Sequence, residues 1–196
     1  MKKLLLTSLI IMCAGSALAQ TAGPLPEAHK TNGMPLMQAL NERKTTRSFS
    51  DQTIDEATLA DILWAAAGVN KDGNKRTIPT ALNRQNISVY VLSANGAFLY
   101  DAPNHALVKI TDADLRQNKD APITLAYAAD KRLLDKDTYS AMHVGSAYQN
   151  VGLYAASAGL ANVVRGSFDQ DALEKGLNLS DSVNILVTQA IGYPAN

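Results

Sequence analysis

Residues 87–110 read ISVYVLSANGAFLYDAPNHALVKI, which is three apolar runs separated by two short polar breaks. Asn95-Gly96 in the first break is a strong β-hairpin signal, and Pro103-Asn104 in the second is a weaker turn signal. Runs of this length joined by such short turns favour strands that lie side by side and antiparallel. We therefore predict adjacent strands at 87–92, 97–100 and 106–110.

The rest of the chain adds helices on both sides of these strands. Thr53 and Glu56 have the spacing of a capping box, and Gly68 is placed to end the helix that follows them. Periodicity predicts the other elements: helices at 35–43, 112–118, 138–158 and 171–177, and strands at 123–128 and 183–191. This order lacks regular βαβ alternation, and no G-x-G-x-x-G motif joins a strand to a helix, so an α+β fold is predicted and a Rossmann fold is disfavoured.

Composition narrows the class of partner. The 196 residues carry 18 basic and 18 acidic side chains and are 46% hydrophobic, which suits one globular domain. A net charge of zero creates no field that gathers nucleic acid or anionic lipid. We therefore expect neither a nucleic-acid partner nor stable association with a membrane.

The N-terminus has the pattern of an export signal. Lys2 and Lys3 precede an apolar run at 4–14, and Ala17-Leu18-Ala19 is a small-x-small cleavage site. The run is too short for a stable membrane span, and the alternative is a buried N-terminal helix. We predict a signal peptide at 1–19 cleaved after Ala19, a loose leader at 20–34 and a periplasmic domain at 35–196.

Side chains for conventional catalysis are scarce in the predicted mature chain. Cleavage removes Cys13, the only cysteine, so neither a disulfide nor a thiolate nucleophile remains. His29, His105 and His143 lie far apart, and no pair has the spacing of metal ligands. No G-x-S-x-G nucleophile motif occurs. We predict no metal site and no catalytic side chain, so either the protein does no chemistry or a cofactor performs it.

The stretch Arg43-Lys44-Thr45-Thr46-Arg47 is the first candidate binding segment. Two consecutive threonines favour an extended path, and alternate side chains of an extended chain point the same way. Arg43, Thr45 and Arg47 would then face together, and two guanidinium groups beside a hydroxyl suit a phosphate. The alternative is a solvated helix end.

Glycines in the long predicted helix form a second unusual feature. Gly145, Gly152 and Gly159 are seven residues apart, so the first two share a face and the third is placed to end the helix. A glycine inside a helix costs about 1 kcal/mol relative to alanine. Close approach of another backbone or of a flat ligand would explain that cost.

Four motifs in order resemble the FMN-dependent nitroreductase superfamily. The family's R-x-[ST]-x-[RK]-x-F and P-[ST]-x-x-N-x-Q stretches are matched by Arg43, Thr45, Arg47 and Phe49, and by Pro79, Thr80, Asn83 and Gln85. A small-residue helix ending in Gly-Leu (145–160) and a short loop (164–168) follow. Residues 62–70, 76–79 and 89–107 look most like the branch that contains the peptide azoline (thiazole/oxazole) dehydrogenases. The resemblance covers about residues 35–194.

The resemblance implies a binding role for eight residues. Arg43, Thr45 and Arg47 would hold the FMN phosphate and ribityl chain, and the backbone N–H of Gly166 would approach flavin N5. The flavin edge would be lined by Pro79, Thr80 and Asn83. Arg165 stands where many relatives have an apolar residue and would shape the substrate side of the ring. His143 falls where some relatives place a flavin-contacting polar residue, although a surface or interface histidine is the favoured interpretation.

The resemblance also implies architecture and activity. It predicts a four- or five-stranded, mainly antiparallel sheet flanked by helices, in a homodimer with FMN at the subunit interface. The activity would be ping-pong hydride transfer through flavin N5, from a reduced donor to a small organic acceptor. Cytoplasmic relatives use NADH or NADPH. For an exported chain the alternatives are a different donor, such as a quinol or small metabolite, or a dehydrogenase role with FMN as the oxidant.

A non-enzymatic protein that binds flavin or another small ligand is the alternative function. Relatives commonly add a basic residue to the phosphate site from a C-terminal extension, and this sequence ends at Asn196. Weaker FMN binding would follow from that difference. The retained arginines of the first motif favour the enzyme instead.

Overall fold

The computed structural model describes residues 22–70 and 73–195, so the predicted signal peptide and its cleavage site lie outside the described residues. The described helices are α1 (Leu36–Glu42), α2 (Glu56–Ala67), α3 (Asp137–Ser157) and α4 (Gln170–Gly176). The described strands are β1 (Gly23–Pro24), β2 (Ile87–Ser93), β3 (Gly96–Asp101), β4 (Ala106–Thr111), β5 (Ile123–Asp130), β6 (Ala161–Arg165) and β7 (Val183–Gly192). None of the helices in this part of the chain is long and apolar enough to cross a membrane.

The strands form one antiparallel sheet in the order β1-β4-β3-β2-β5-β7-β6. The predicted α+β fold with an antiparallel sheet is therefore confirmed. With seven strands among the described residues, the sheet is wider than the four or five expected. The additional strands are the two edges, β1 and β6, which are only two and five residues long. Segments this short carry too little alternation to predict a strand from the sequence.

The hairpin between β2 and β3 forms where it was predicted, with a shift of one residue in the turn. Ala94 and Asn95 occupy the turn, and Gly96 is already paired with Ser93. Gly96 has φ +121°, and a Cβ on it would collide with the carbonyl oxygen of Thr111. Glycine is needed there because the neighbouring strand leaves no room for a side chain.

The sheet is covered on both faces. On one face, α2 and α3 pack against alternate side chains of β5, including Leu125 and Tyr127. On the other, α4 packs with Ala126 and Ala128 of the same strand. Strand β5 is therefore buried on both sides and reads as a nearly continuous run of small and apolar residues.

Two local predictions are wrong. The cap of α2 is Asp55, whose carboxylate accepts from the Thr58 N–H at 2.7 Å, and not the Thr53–Glu56 box. Residues 112–118 form a loop instead of a helix. Arg116 organises that loop by donating to Asp114 at 2.8 Å and to the carbonyl of Ala121 at 2.8 Å. The hydrogen bonds from Arg116 hold the pKa of Asp114 below its ordinary value.

The segment 22–34, expected to be loose, contacts the domain at several points. Strand β1 pairs with β4, and Ala28 is buried. The backbone N–H of His29 donates to the Asp61 carboxylate at 2.6 Å, and its ring lies 3.2 Å from the other carboxylate oxygen. Because Asp61 is buried on α2, these contacts fix the segment onto the domain.

A chain of buried polar side chains joins three strands beneath α3. Tyr127 on β5 donates to Gln189 Oε1 on β7 at 2.6 Å, and Gln189 Nε2 donates to Asn162 Oδ1 on β6 at 3.0 Å. Tyr127 and Gln189 are fully buried, and burial raises the pKa of the Tyr127 hydroxyl. Buried polar groups are tolerated because each finds a partner.

We predict that Tyr127→Phe lowers the free energy of unfolding by about 1–3 kcal/mol, because Gln189 Oε1 would stay buried without its donor. Chemical denaturation measures the change. Tyr139→Phe is the matched control: Tyr139 is 45% exposed, and its change should stay within about 0.5 kcal/mol. Equal effects of the two substitutions would contradict the role assigned to the buried chain.

Candidate functional site

Residues 43–47 leave α1 and run extended along the sheet edge, as the paired threonines predict. Arg43 ends α1 with φ −58° and ψ 122°. The Thr46 N–H donates to the carbonyl of Asn162 on β6 at 2.9 Å, and Phe49 bridges to Pro194. Backbone pairing to β6 therefore fixes this segment, and the alternative of a solvated helix end does not hold.

The three predicted side chains of this segment are available to a ligand. Arg43 is half-buried, with its aliphatic stem over α3: a methyl group on Gly152 would lie 3.7 Å from Arg43 Cδ. Thr45 and Arg47 are exposed. All three side chains lack hydrogen-bond partners among the described residues, so two guanidinium groups and a hydroxyl are free to bind an anion.

The loop that leads to the second motif is held by the C-terminal turn of α2. The Thr77 hydroxyl donates to the Trp64 carbonyl at 3.0 Å, and Asn150 Nδ2 on α3 donates to the carbonyls of Ala65 at 3.1 Å and Thr77 at 3.3 Å. The last carbonyls of a helix have no partners within it. The Trp64 carbonyl already accepts from the Gly68 N–H at 2.8 Å, so it is the Ala65 carbonyl that gains its partners from Asn150 and Thr77, and these contacts tie residue 77 to α2 and α3.

The second motif itself has a strained backbone. Leu82, Asn83 and Gln85 have φ of 53°, 53° and 46°, in the left-handed region that non-glycine residues rarely adopt. Gln85 holds the turn: it accepts from Arg76 Nε at 2.8 Å and donates to Asn83 Oδ1 at 3.0 Å. Leu82 is 82% exposed. An exposed leucine in a strained turn is a feature that functional sites often carry.

His143 is buried and fixes this turn, which corrects the expectation of a surface or interface histidine. The Ala81 N–H donates to His143 Nε2 at 2.7 Å, so the ring proton is on Nδ1 and is donated to Asn86 Oδ1 at 2.7 Å. Asn86 Nδ2 donates in turn to the Ser140 hydroxyl at 2.8 Å. Burial lowers the pKa of His143, which favours the neutral ring that this geometry needs.

The predicted loop at 164–168 begins later in the chain than expected. Val164 and Arg165 belong to β6, so the loop starts only at Gly166. A Cβ on Gly166 would meet nothing within 4 Å, and the Arg165 side chain is exposed. The end of β6 therefore offers an open backbone surface.

Within one chain, the predicted site residues form two separate groups. The first comprises residues 43–47 and β6, which are joined by the hydrogen bond from the Thr46 N–H to the Asn162 carbonyl. The second is the turn formed by Pro79, Thr80 and Asn83. The groups contact α3 at Gly152 and at His143, nine residues apart, which is about 13 Å along a helix axis. Each group is therefore a candidate half of a binding site.

Sequence reasoning missed the residues that support these halves. Asn150 was visible as a polar residue on an otherwise apolar helix face. Asn86 gave no signal, and the structural role of His143 was not predicted, because these two partners are 57 positions apart in the chain. Only the fold brings such pairs together.

We predict that His143 makes the protein less stable at low pH. Its pKa is lowered in the folded state, so its contribution is fully present above the unfolded value of about 6.5 and is lost as the pH falls through the folded value. Denaturation at several pH values between neutral and mildly acidic measures the slope. His143→Gln keeps an acceptor and a donor without titrating, so its slope should be shallower; identical slopes would rule out His143 as the cause.

Comparison with known proteins connects this geometry with a family. The Nitroreductase family model matches residues 40–193, which includes both groups of candidate residues. A crystal structure of a nitroreductase homologue from Ralstonia eutropha JMP134 superposes with a TM-score of 0.83 at 37% identity, over 88% of this chain and 89% of that one.

Two more distant structures share the fold. One is a nitroreductase homologue from Desulfovibrio desulfuricans solved in complex with FMN, with a TM-score of 0.60, 18% identity and coverage of 83% and 88%. The other is a chain of the E. coli microcin synthetase complex McbBCD with truncated pro-MccB17 bound, with a TM-score of 0.70, 16% identity and coverage of 99% and 85%. The family model, the fold and the order of the motifs agree: the chain belongs to the nitroreductase family of oxidoreductases.

Proposed function

We propose that this protein is an exported, FMN-dependent oxidoreductase that transfers hydride between a reduced donor and a small organic acceptor. The observation that carries the proposal is the set of free side chains on residues 43–47, a segment hydrogen-bonded to β6, the strand that ends directly before the open backbone of Gly166. Cationic side chains on one element and bare backbone on its neighbour match a ligand with a phosphate at one end and a flat ring at the other.

The phosphate end fits the side chains that are present. Arg43 and Arg47 each offer a planar fork of N–H donors, which binds phosphate oxygens in pairs, and Thr45 adds a hydroxyl. Among the described residues these groups are not engaged elsewhere, so binding would break no internal hydrogen bond. The FMN complex of the Desulfovibrio relative supports flavin as the ligand.

The ring end fits the residues around Gly166. With no side chain at Gly166, a flat ring can approach the backbone N–H closely. Bound FMN would supply the chemistry by exchanging hydride at N5. The chain's own contribution would be position and electrostatics: Gly166 donates a hydrogen bond to the ring, and Arg165 places a positive charge near its substrate side.

A second copy of the chain would complete the site. The turn of Pro79, Thr80 and Asn83 is displaced from the first group within one chain, so we propose that it lines the flavin of a partner subunit. Exposed apolar side chains support a homodimer: Leu36, Met37 and Leu40 on α1 are 62%, 76% and 44% exposed. Large apolar surface of this kind usually marks an interface.

The choice of electron donor depends on where the protein is located. We propose that cleavage after Ala19 delivers the mature chain to the periplasm, where NADH and NADPH are not expected to be plentiful. A quinol or another small reduced metabolite is therefore as suitable a donor as NAD(P)H. Donor and acceptor would use the same open side of the ring in turn.

We predict that Arg47→Ala weakens FMN binding by about 1.5–3 kcal/mol, the usual contribution of a hydrogen bond to a charged group, without unfolding the protein. Fluorescence titration with FMN measures the affinity. Lys44→Ala is the matched control, because Lys44 is a neighbouring exposed cation on the opposite side of the same extended segment.

Affinity that changes equally in both variants would show that only the general charge of the segment matters. Affinity that changes in neither would remove the phosphate assignment. An FMN-loaded chain that no donor reduces would instead favour the non-enzymatic flavin-binding alternative.

A further inference from the structure

A cavity of about 280 Å³ lies at the end of the sheet where β2 begins and β3 ends. Ala67, Arg76 and Ile78, from the end of α2 and the loop after it, line the cavity together with residues of the two strands. Cavities that bind small molecules measure about 300–1,000 Å³, so this one suits a small metabolite and not a nucleotide. Of the residues proposed to contact flavin, only Thr80 lines it, so the flavin site leaves the other walls without a role.

Arg76 brings a positive charge to the cavity. Its Nε donates to Gln85 Oε1 at 2.8 Å, and its Nη1 donates to the Ala67 carbonyl at 3.4 Å. These contacts hold the guanidinium in place and leave Nη2 without a hydrogen-bond partner among the described residues. Burial lowers the pKa of Arg76, while the neighbouring Tyr100 and Asp101 oppose that shift. Because an arginine in a protein stays charged, this half-buried cation favours an anionic partner.

Asp101 brings a negative charge to the same cavity, and the strand register places the Ser88 hydroxyl on its side. Leu99 of β3 pairs with Tyr90 of β2. Asp101 and Ser88 each lie two residues from one member of that pair, so both point to the same face of the sheet. Asn104 Nδ2 donates to Asp101 Oδ2 at 2.8 Å, and an ionised carboxylate accepts several more hydrogen bonds.

The two opposite charges of the cavity are not joined to each other. In the part of the chain that the structure describes, no side-chain nitrogen of Arg76 lies within 4.0 Å of an Asp101 carboxylate oxygen. A ligand with only a carboxylate would lie near the charge of Asp101, and a ligand with only an amine would lie near that of Arg76. Each is therefore disfavoured by repulsion, whereas a ligand that carries both charges meets an opposite charge at each end.

We propose that this cavity binds a free amino acid with an aliphatic side chain. The planar Arg76 guanidinium binds the carboxylate of the ligand with hydrogen bonds from its Nη1 and Nη2 edge. The Asp101 carboxylate and the Ser88 hydroxyl accept hydrogen bonds from the ammonium group. Leu99 and Val108 line the cavity beside Asp101, and their apolar surface suits the hydrocarbon of the ligand.

Calorimetric titration of the protein with L-leucine, with and without added FMN, tests the proposal. Leucinamide lacks the carboxylate and isocaproate lacks the ammonium group, while both keep the hydrocarbon. Leucine should bind at least about tenfold more tightly than either analogue, the usual scale of one charge-assisted hydrogen bond. Residues 43–47 and Gly166 do not line the cavity, so the result fails or succeeds separately from the proposed flavin binding. No binding of leucine, or equal binding of the three probes, would overturn the proposal.

Three variants assign the binding to this cavity. Asp101→Asn should lower leucine affinity at least about tenfold and raise isocaproate affinity, because the charge that repels a lone carboxylate is gone. Arg76→Gln should lower leucine affinity and raise leucinamide affinity for the same reason, whereas a misfolded variant would lose all probes alike. Arg84→Gln removes an exposed arginine outside the cavity and should leave every affinity unchanged. The proposal is wrong if both cavity variants lose the three probes equally, or if Arg84→Gln weakens leucine binding as much as they do.

Discussion

The packing of α3 against the sheet is the constraint on which the rest of the structure depends. Its buried face lies over β5, and its ends hold the two loops that carry the candidate binding residues. At one position His143 accepts the Ala81 N–H, and nine residues later Gly152 lies beside the stem of Arg43. A shift of α3 would therefore move both halves of the site at once.

Hydrogen bonds to buried polar groups fix the conformation of the loops that carry the candidate residues. Asn150 donates to the Ala65 carbonyl in the last turn of α2, while His143 accepts the Ala81 N–H of a turn with left-handed backbone. Each contact compensates for the desolvation of a group that would otherwise be unpaired. Among the described residues, the exceptions are the Thr124 hydroxyl and the side-chain oxygen of Asn184, which are buried without a hydrogen-bond partner.

Prediction from the sequence succeeded where local chemistry decides the structure. The β2–β3 hairpin, the long helix and the extended path of residues 43–47 all follow from turn residues, periodicity and β-branched pairs. It failed where tertiary contacts decide: Arg116 makes a loop of 112–118 by bonding Asp114 and the carbonyl of Ala121. His143 was predicted to be a surface residue because its partner Asn86, directly before β2, is 57 positions away in the chain. The candidate ligand groups were predictable, but the residues that hold them were not.

The visible absorption spectrum of the mature chain from Gln20 tests the central claim most directly. The protein is incubated with FMN, desalted, reduced anaerobically with a donor and then mixed with an acceptor. The account predicts that the flavin band stays with the protein, is bleached by the donor and returns with the acceptor. A folded protein that leaves desalting colourless would contradict it.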